Sequence, residues 1–211
     1  MNAPEPGTEL PQALQALAKE GVQRRYRKRS VIISEGDVGE SLFILLAGAV
    51  RIYSQDSRGR ELDFGLLEPG TIFGEMAMEG GTRTASAEAA SDCMCAEVPY
   101  AKLKQRLAES PDFAFFLVST LIGRSRSATE SAKNMALKTV YQRIGELLER
   151  ESVSEGDVRA LPQKTSQQEL ANRVGASRDM ISKILKDLSV GGYIRIDGKR
   201  IFLLKSLPSG W

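Results

Sequence analysis

The sequence predicts an α+β fold in three parts: an N-terminal β domain, a long helix, and a C-terminal helix-turn-helix followed by a β-hairpin wing. Short aliphatic runs separated by glycines fill residues 22–102, and helical spacing begins after Pro111. Two short amphipathic helices separated by Gly175 then precede an Asp-Gly turn. We place the three parts at residues 1–109, 110–136 and 137–211.

The composition is that of an ordinary globular protein, with 42% hydrophobic and 27% charged residues among 211. The polar, Pro-rich start, Met1 to Pro11, lacks the basic residues and apolar core of a secretory signal. No apolar run reaches membrane-spanning length. We therefore expect a cytoplasmic protein with no membrane partner.

The absence of histidine excludes several functions at once: His-based acid–base catalysis, a Ser-His-Asp triad and histidine ligation of haem or metal. The only cysteines are Cys93 and Cys95, and no second pair completes a zinc or iron–sulfur site. We expect them to be structural. An enzyme such as a nucleotide hydrolase using Glu75 is a competing interpretation, but no paired acid at a suitable spacing supports it. We predict neither metal site nor catalysis.

Charge is divided unevenly along the chain. Residues 1–136 hold 16 Lys and Arg against 18 Asp and Glu, whereas residues 137–211 hold 13 against 9. A polyanion is therefore expected to bind the C-terminal third.

The N-terminal part begins with an amphipathic helix at residues 10–20, ended by Gly21. We predict strands in the following segments, among others: Ser41–Leu46, Ala49–Tyr53 and Glu61–Leu67. The turns between them carry Asp56-Ser57-Arg58-Gly59 and Pro69-Gly70. Many short strands at this spacing are typical of a sandwich, a barrel or a roll.

A long helix is predicted from Ser110, which can cap it, with helical spacing to about Glu151. We expect its apolar and small residues to pair with a second copy of the chain, giving a homodimer. The alternative is a helix packed on its own β domain. The residues of this face are Phe113, Phe116, Leu117, Thr120, Leu121, Ala128, Ala132 and Met135.

After a polar connector at residues 152–163, Ser166-x-x-Glu169 is a capping box that starts a helix ending at Gly175. Ser177 starts a second helix, with an outward face that carries Arg178, Asp179, Ser182, Lys183 and Lys186. Met180, Ile181, Ile184, Leu185 and Leu188 are expected to face inward. This arrangement predicts a helix-turn-helix that binds DNA, with protein contacts alone as the alternative.

A hairpin wing is predicted after the second helix. Two apolar strands flank Asp197-Gly198-Lys199, and Asp-Gly favours a type I′ turn. Lys199 and Arg200 are expected to lie beside DNA phosphate.

Residues 176–188 resemble the recognition helix of the CRP/FNR superfamily of transcription regulators. The resemblance implies that Arg178 reads guanine, that Asp179 accepts from cytosine and that Lys183 meets a further base edge of a palindromic site. The best-known family pattern has Glu at the position of Asp179 and Arg at that of Lys183, so readout there is expected to be relaxed. Phosphate contacts would come from Ser166, Gln168, Ser177 and Lys199. RNA polymerase is the further partner that the resemblance implies.

Residues 70–78 and 83–87 resemble the phosphate-binding cassette of cyclic-nucleotide-binding domains, which implies a β-roll. Gly74 would let the ligand approach, Met76 would lie beside it, and Arg83 and Thr84 would contact the cyclic phosphate. Glu75 would accept from the ribose 2′-OH. Glu75 could instead only cap a turn, and Arg83 could pair with a nearby acid.

The expected effector is cyclic AMP or a related cyclic nucleotide, with no prosthetic group. In the family the base lies against the dimer helix, and the resemblance places Thr129 at one base-contacting position. Ala128 lies where the cyclic-AMP-responsive archetype has Thr. Cyclic di-GMP, or the absence of any ligand, is the alternative. The family's iron–sulfur and haem branches need a cysteine cluster or histidine, which this sequence lacks.

Overall fold

The computed structural model describes residues 10–156 and 158–208. The polar segment before residue 10 lies outside the described residues. Two units are distinguished among the described residues: 10–56 with 64–125, and 57–63 with 126–156 and 158–208. No described helix combines the length and apolar character needed to cross a membrane.

Two four-stranded sheets form the β-roll, with strand orders β1-β8-β3-β6 and β2-β7-β4-β5. The strands are β1 (Val22–Tyr26), β2 (Val31–Ile33), β3 (Ser41–Ala47), β4 (Val50–Gln55), β5 (Glu61–Leu67), β6 (Ile72–Phe73), β7 (Ser86–Ala89) and β8 (Cys93–Pro99). The strands predicted at residues 41–46, 49–53 and 61–67 are confirmed as β3, β4 and β5.

Strand β3 is buried on both faces, which explains its continuous apolar run. Phe43 and Leu45 belong to a core cluster with Phe73, Cys93 and Cys95. Alternate residues of β3, among them Leu42 and Ile44, belong to a second cluster that includes helical residues. Both cysteines are free and buried. A hydrogen bond between the two thiols raises the pKa of Cys95 and lowers that of Cys93.

Three helices supply the helical side of the second cluster: α1 (Gln12–Glu20), α2 (Tyr100–Glu109) and the first turns of α3 (Pro111–Leu137). Phe113 and Leu117 are buried there. The prediction that these two residues face a second copy is therefore wrong, and the alternative of packing on the β domain holds for this part of α3. Leu121 and Met135 of the predicted face are exposed, and so are three apolar residues outside that face: Phe115, Val118 and Ile122.

The spacing predicted one helix that continues to about Glu151, but the helical structure is interrupted before that residue. Helix α3 ends at Leu137, and α4 (Val140–Glu151) begins with a capping box between Thr139 and Gln142. Arg143 donates from Nε to the Val174 carbonyl at 2.9 Å and from Nη1 to the Lys138 carbonyl at 2.8 Å. Carbonyls left open at two helix ends thus share one guanidinium.

The segment expected to be a polar connector forms a hairpin instead. Strands β9 (Val153–Glu155) and β10 (Val158–Ala160) join β11 (Ile194–Asp197) and β12 (Arg200–Leu203) in one antiparallel sheet, ordered β11-β12-β10-β9. Gly198 has φ of 59°, whereas Lys199 is not among the residues with positive φ. A positive φ at only the first central residue is the pattern of a type II′ turn, so the predicted type I′ turn is wrong.

The helix-turn-helix is confirmed as α5 (Gln167–Val174) and α6 (Arg178–Val190), with Gly175 between them in the left-handed region at φ 63°. Ile181, Ile184, Leu185 and Leu188 are buried against α4, α5 and the wing sheet. Met180, expected to face inward, is exposed.

Candidate ligand pocket and nucleic-acid interface

Within the β-roll cassette, Gly74 follows β6 and precedes a short 3-10 helix, Glu75–Ala77. Gly74 has φ of 81°, and a Cβ there would lie 2.7 Å from Nη1 of Arg83. Only glycine satisfies both the backbone conformation and this close approach. The cassette backbone is therefore fitted closely around the Arg83 side chain.

Arg83 is a buried cation, 8% exposed. Its Nη1 donates to the Gly74 carbonyl at 2.6 Å and to the Tyr100 hydroxyl at 3.0 Å. The guanidinium carbon lies 5.9 Å from the ring centroids of both Phe43 and Tyr100. The alternative of an acid partner is not realised within residues 10–156 and 158–208. Because a buried charge without a counter-ion is costly, this site favours an anion.

Glu75 is the matching buried anion, 6% exposed. Its Oε1 accepts from Nη1 of Arg124 at 2.5 Å, and Arg124 also donates to the Ile72 carbonyl. The second carboxylate oxygen, Oε2, is buried and has no hydrogen-bond partner among the described residues. A buried acceptor in this state favours a donor such as a hydroxyl.

Two of the three remaining predicted ligand residues lie at the cassette. Thr84 and Met76 meet at the cassette, where the Thr84 hydroxyl lies 3.4 Å from the Met76 sulfur. The Met76 side chain is otherwise exposed. Thr129 lies on the second half of α3, which belongs to the second unit.

Three residues of this site were absent from the predicted set. Tyr100 forms a hydrogen bond with Arg83, and Arg124 forms one with Glu75. Gly39 makes room for Arg83, since a Cβ at Gly39 would lie 3.0 Å from the Arg83 guanidinium carbon. Arg124 had a usable signal, because a basic residue on the long helix can reach an acid on the roll. Tyr100 and Gly39 carry no local signal, since their roles arise from tertiary contacts.

The second site lies between the helix-turn-helix and the wing, where a groove of about 530 Å³ opens. Four residues predicted to contact DNA line it: Ser166, Gln168, Arg178 and Lys199. Thr165, Gln167 and Ile196 were not predicted and also line it. The Thr165 amide donates to the Lys199 carbonyl at 2.9 Å, so the wing tip is tied to the start of α5.

The start of α5 is capped as predicted. The Ser166 hydroxyl accepts from the Glu169 amide at 3.1 Å, and the Glu169 carboxylate accepts from the Ser166 amide at 2.5 Å. Burial raises the pKa of Glu169, but the hydrogen bonds from Ser166 and the charges of Lys199 and Arg173 outweigh burial and leave it lowered. Gln168 donates to Asn172 at 2.7 Å.

The start of α6 presents the other predicted residues. Ser177 caps the helix by accepting from the Met180 amide at 3.2 Å. Arg178, Asp179 and Lys183 are exposed, and of these Arg178 lines the groove. Arg200, expected to lie beside phosphate, is paired with Glu155 and lies over the Phe202 ring at 5.2 Å.

A β-roll with buried charges, a long helix and a winged helix-turn-helix define a class of protein: a regulator that joins a sensing domain to a DNA-reading domain. Comparison with known families agrees with this class. Residues 23–110 match the family described as "Cyclic nucleotide-binding domain", and residues 142–207 match "Crp-like helix-turn-helix domain".

The relatives and solved structures that cover most of the chain include the following three. The chain is 32% identical to the cAMP-activated global transcriptional regulator Vfr of Pseudomonas aeruginosa, over 84% of this chain and 86% of that protein. A CRP-like cAMP-activated global transcriptional regulator of Mycobacterium tuberculosis is 27% identical, over 93% of this chain and 90% of that protein. The c-di-GMP responsive global regulator CLP of Xanthomonas campestris superposes with a TM-score of 0.82 at 29% identity, over 92% and 98% of the two chains.

The chain belongs to the CRP/FNR family of transcription regulators. It is a DNA-binding regulator with a cyclic-nucleotide-binding domain.

Proposed function

We propose that the effector of this regulator is a cyclic mononucleotide, cyclic AMP first, bound in the β-roll. The observation that carries the proposal is the Arg83 cation, buried without a carboxylate partner among the described residues. A cyclic phosphate supplies the missing negative charge. Glu75 Oε2 accepts from the ribose 2′-OH, the hydroxyl donor that this buried oxygen lacks.

The other ligand roles follow from this pose. Thr84 adds a hydroxyl to the phosphate, Gly74 permits its close approach, and Met76 covers the ligand from the exposed side. Thr129 contacts the base, a role that rests on the family resemblance alone. The ligand dissociates without chemical change, because the site offers the charge of Arg83 and the acceptor of Glu75 rather than a general acid and a general base.

Coupling from ligand to DNA is a population shift. Glu75 bonds to the ligand with one oxygen and to Arg124 of α3 with the other. A ligand that prefers one arrangement of the dimer helices therefore changes the fraction of DNA-competent dimers. RNA polymerase is the partner through which DNA binding affects transcription.

DNA is read from the groove beside the wing. Arg178 pairs with guanine in the major groove, Asp179 accepts from cytosine, and Lys183 meets a further base edge. Ser166, Gln168, Ser177 and Lys199 bind phosphates, which sets the register. The position of four of these seven residues around one groove supports the assignment.

The working form is a homodimer on a palindromic site, because two recognition helices one DNA turn apart match two half-sites. Exposed apolar residues of α3 support the dimer: Phe115, Val118 and Ile122 are 75%, 52% and 47% exposed in the single chain. We place the protein in the cytoplasm, where its DNA target lies.

A second candidate effector is cyclic di-GMP, since the similar CLP structure is that of a c-di-GMP responsive regulator. Calorimetric titration separates the two. Saturable heat with cyclic AMP, lost in Arg83→Ala, is the expected result. Two results contradict the proposal: heat with cyclic di-GMP but not with cyclic AMP, or no heat with any of the nucleotides.

Chromatography of the recovered ligand is expected to return it intact, and a hydrolysis product would contradict the absence of catalysis.

A further inference from the structure

We propose that Tyr100 is a positioning residue that holds the Arg83 guanidinium in the orientation that receives the ligand's anionic group. This inference rests on the proposed binding of a cyclic nucleotide. Tyr100 is the first residue of α2 and follows Pro99 at the end of β8. It thus reaches the cassette from an element that belongs to neither cassette segment.

The Tyr100 hydroxyl closes a triangle of hydrogen bonds. Arg83 Nη1 donates to it at 3.0 Å and to the Gly74 carbonyl at 2.6 Å, and the hydroxyl itself donates to the Gly74 carbonyl. Tyr100 is buried, and its amide donates to the Glu40 carbonyl at 2.9 Å. The Tyr100 backbone is therefore anchored at Glu40, and its hydroxyl is anchored at the Gly74 carbonyl.

This triangle uses only one guanidinium nitrogen. Nε and Nη2 of Arg83 have no hydrogen-bond partner in the part of the chain that the structure describes. Because the guanidinium is planar, fixing Nη1 also fixes the direction of the three remaining N–H groups. These groups form the fork that binds a phosphate, and a rotation of the side chain would misdirect them.

Tyr100 keeps the proton that this geometry needs. Burial raises the pKa of its hydroxyl, the neighbouring Glu75 raises it further, and Arg83 opposes both without reversing the shift. The hydroxyl therefore donates to Gly74 and accepts from Arg83 across the neutral pH range.

The test is a double-mutant cycle in the full chain, with cyclic AMP affinity measured by calorimetry. Tyr100→Phe keeps the ring and removes the hydroxyl. We expect about five-fold weaker binding, which corresponds to about 1 kcal/mol for one hydrogen bond. In Arg83→Lys, whose ammonium has no planar fork, adding Tyr100→Phe is expected to change affinity less than about two-fold. Tyr26→Phe on β1 is the matched control and is expected to bind like the wild type.

Two outcomes overturn the inference while the proposed function stands: unchanged affinity in Tyr100→Phe, or an equal loss in the wild-type and Arg83→Lys backgrounds. The second would show that the hydroxyl acts on the fold in general. If the wild-type chain binds no cyclic nucleotide, the proposed effector fails and the inference fails with it.

Discussion

Two buried charges in the β-roll, Arg83 and Glu75, are satisfied in different ways. Arg83 has only neutral acceptors, whereas Glu75 has one paired oxygen and one unpaired oxygen. The sequence predicts both as ligand residues, because each lies within a short local motif. It does not predict their protein partners. Arg124 is separated from Glu75 by 49 residues and Tyr100 from Arg83 by 17, so only the tertiary fold brings them together.

Replacing Glu75 by Gln tests the unpaired oxygen. The amide has similar shape but removes the charge that holds Arg124 and accepts the ribose hydroxyl. A hydrogen bond to a charged group contributes about 1.5–3 kcal/mol, so we expect cyclic AMP binding to weaken by about 10- to 100-fold in calorimetry. Glu109→Gln on α2 is the control. Equal cyclic AMP affinity of the wild type and Glu75→Gln would show that Glu75 does not contact the ligand.

Arg178 is the residue on which sequence readout depends most. Arg178→Ala is expected to lose about 1–3 kcal/mol of discrimination between specific and scrambled duplexes. Non-specific, salt-sensitive binding should persist, because phosphate contacts are made elsewhere. Fluorescence anisotropy across a salt series measures both effects, with Arg150→Ala on α4 as control. A preserved footprint at the preferred site in Arg178→Ala would show that the guanine contact is misassigned.

Helices and strands were predictable where their signals are local. The ends of α5 are predictable from the capping box Ser166-x-x-Glu169 and from Gly175. The wing hairpin is predictable from the apolar strands on either side of Gly198. Strand β9 was missed because all its residues are exposed and polar neighbours surround its one valine. Its strand character comes from pairing with β10, which no local pattern reports. The break before α4 did have a signal, the Thr139-x-x-Gln142 capping box, within otherwise continuous helical spacing.

The capping box of α5 makes a pH-dependent contribution to stability. The pKa of Glu169 is lowered from about 4.5, so its stabilising effect is full above that value and is lost as pH falls through the lower, folded-state pKa. Glu169→Gln retains a side chain that can complete the box but cannot titrate. Urea unfolding at pH 7 and at pH 3.5 should show a stability difference between wild type and variant that shrinks at the lower pH. A difference independent of pH contradicts the charge-based account.

At the scale of the whole molecule, α3 carries both buried and exposed apolar residues. Phe113 and Leu117 pack on the β-roll, whereas Phe115, Val118 and Ile122 are exposed and are the residues that we propose contact a second chain. Spacing alone did not separate them, because aromatic and aliphatic residues surround the first turns of the helix. Only the burial of individual residues in the structure shows which face of α3 stays exposed in the single chain.

Ile122→Glu is expected to yield a monomer, since a charge in an apolar dimer seam is buried without a partner. Light scattering after gel filtration measures the mass. Val190→Glu, which adds the same charge at the exposed end of α6, should leave the dimer intact. A dimeric Ile122→Glu chain would locate the interface elsewhere.

We propose that a cyclic nucleotide in the β-roll controls DNA binding by the wing and α6. The most direct measurement is fluorescence anisotropy of a labelled palindromic duplex with wild-type protein and with Arg83→Ala, each with and without cyclic AMP. We expect cyclic AMP to tighten DNA binding by the wild type and to have no effect on DNA binding by Arg83→Ala. Equal DNA affinity of the wild type with and without the nucleotide would contradict it.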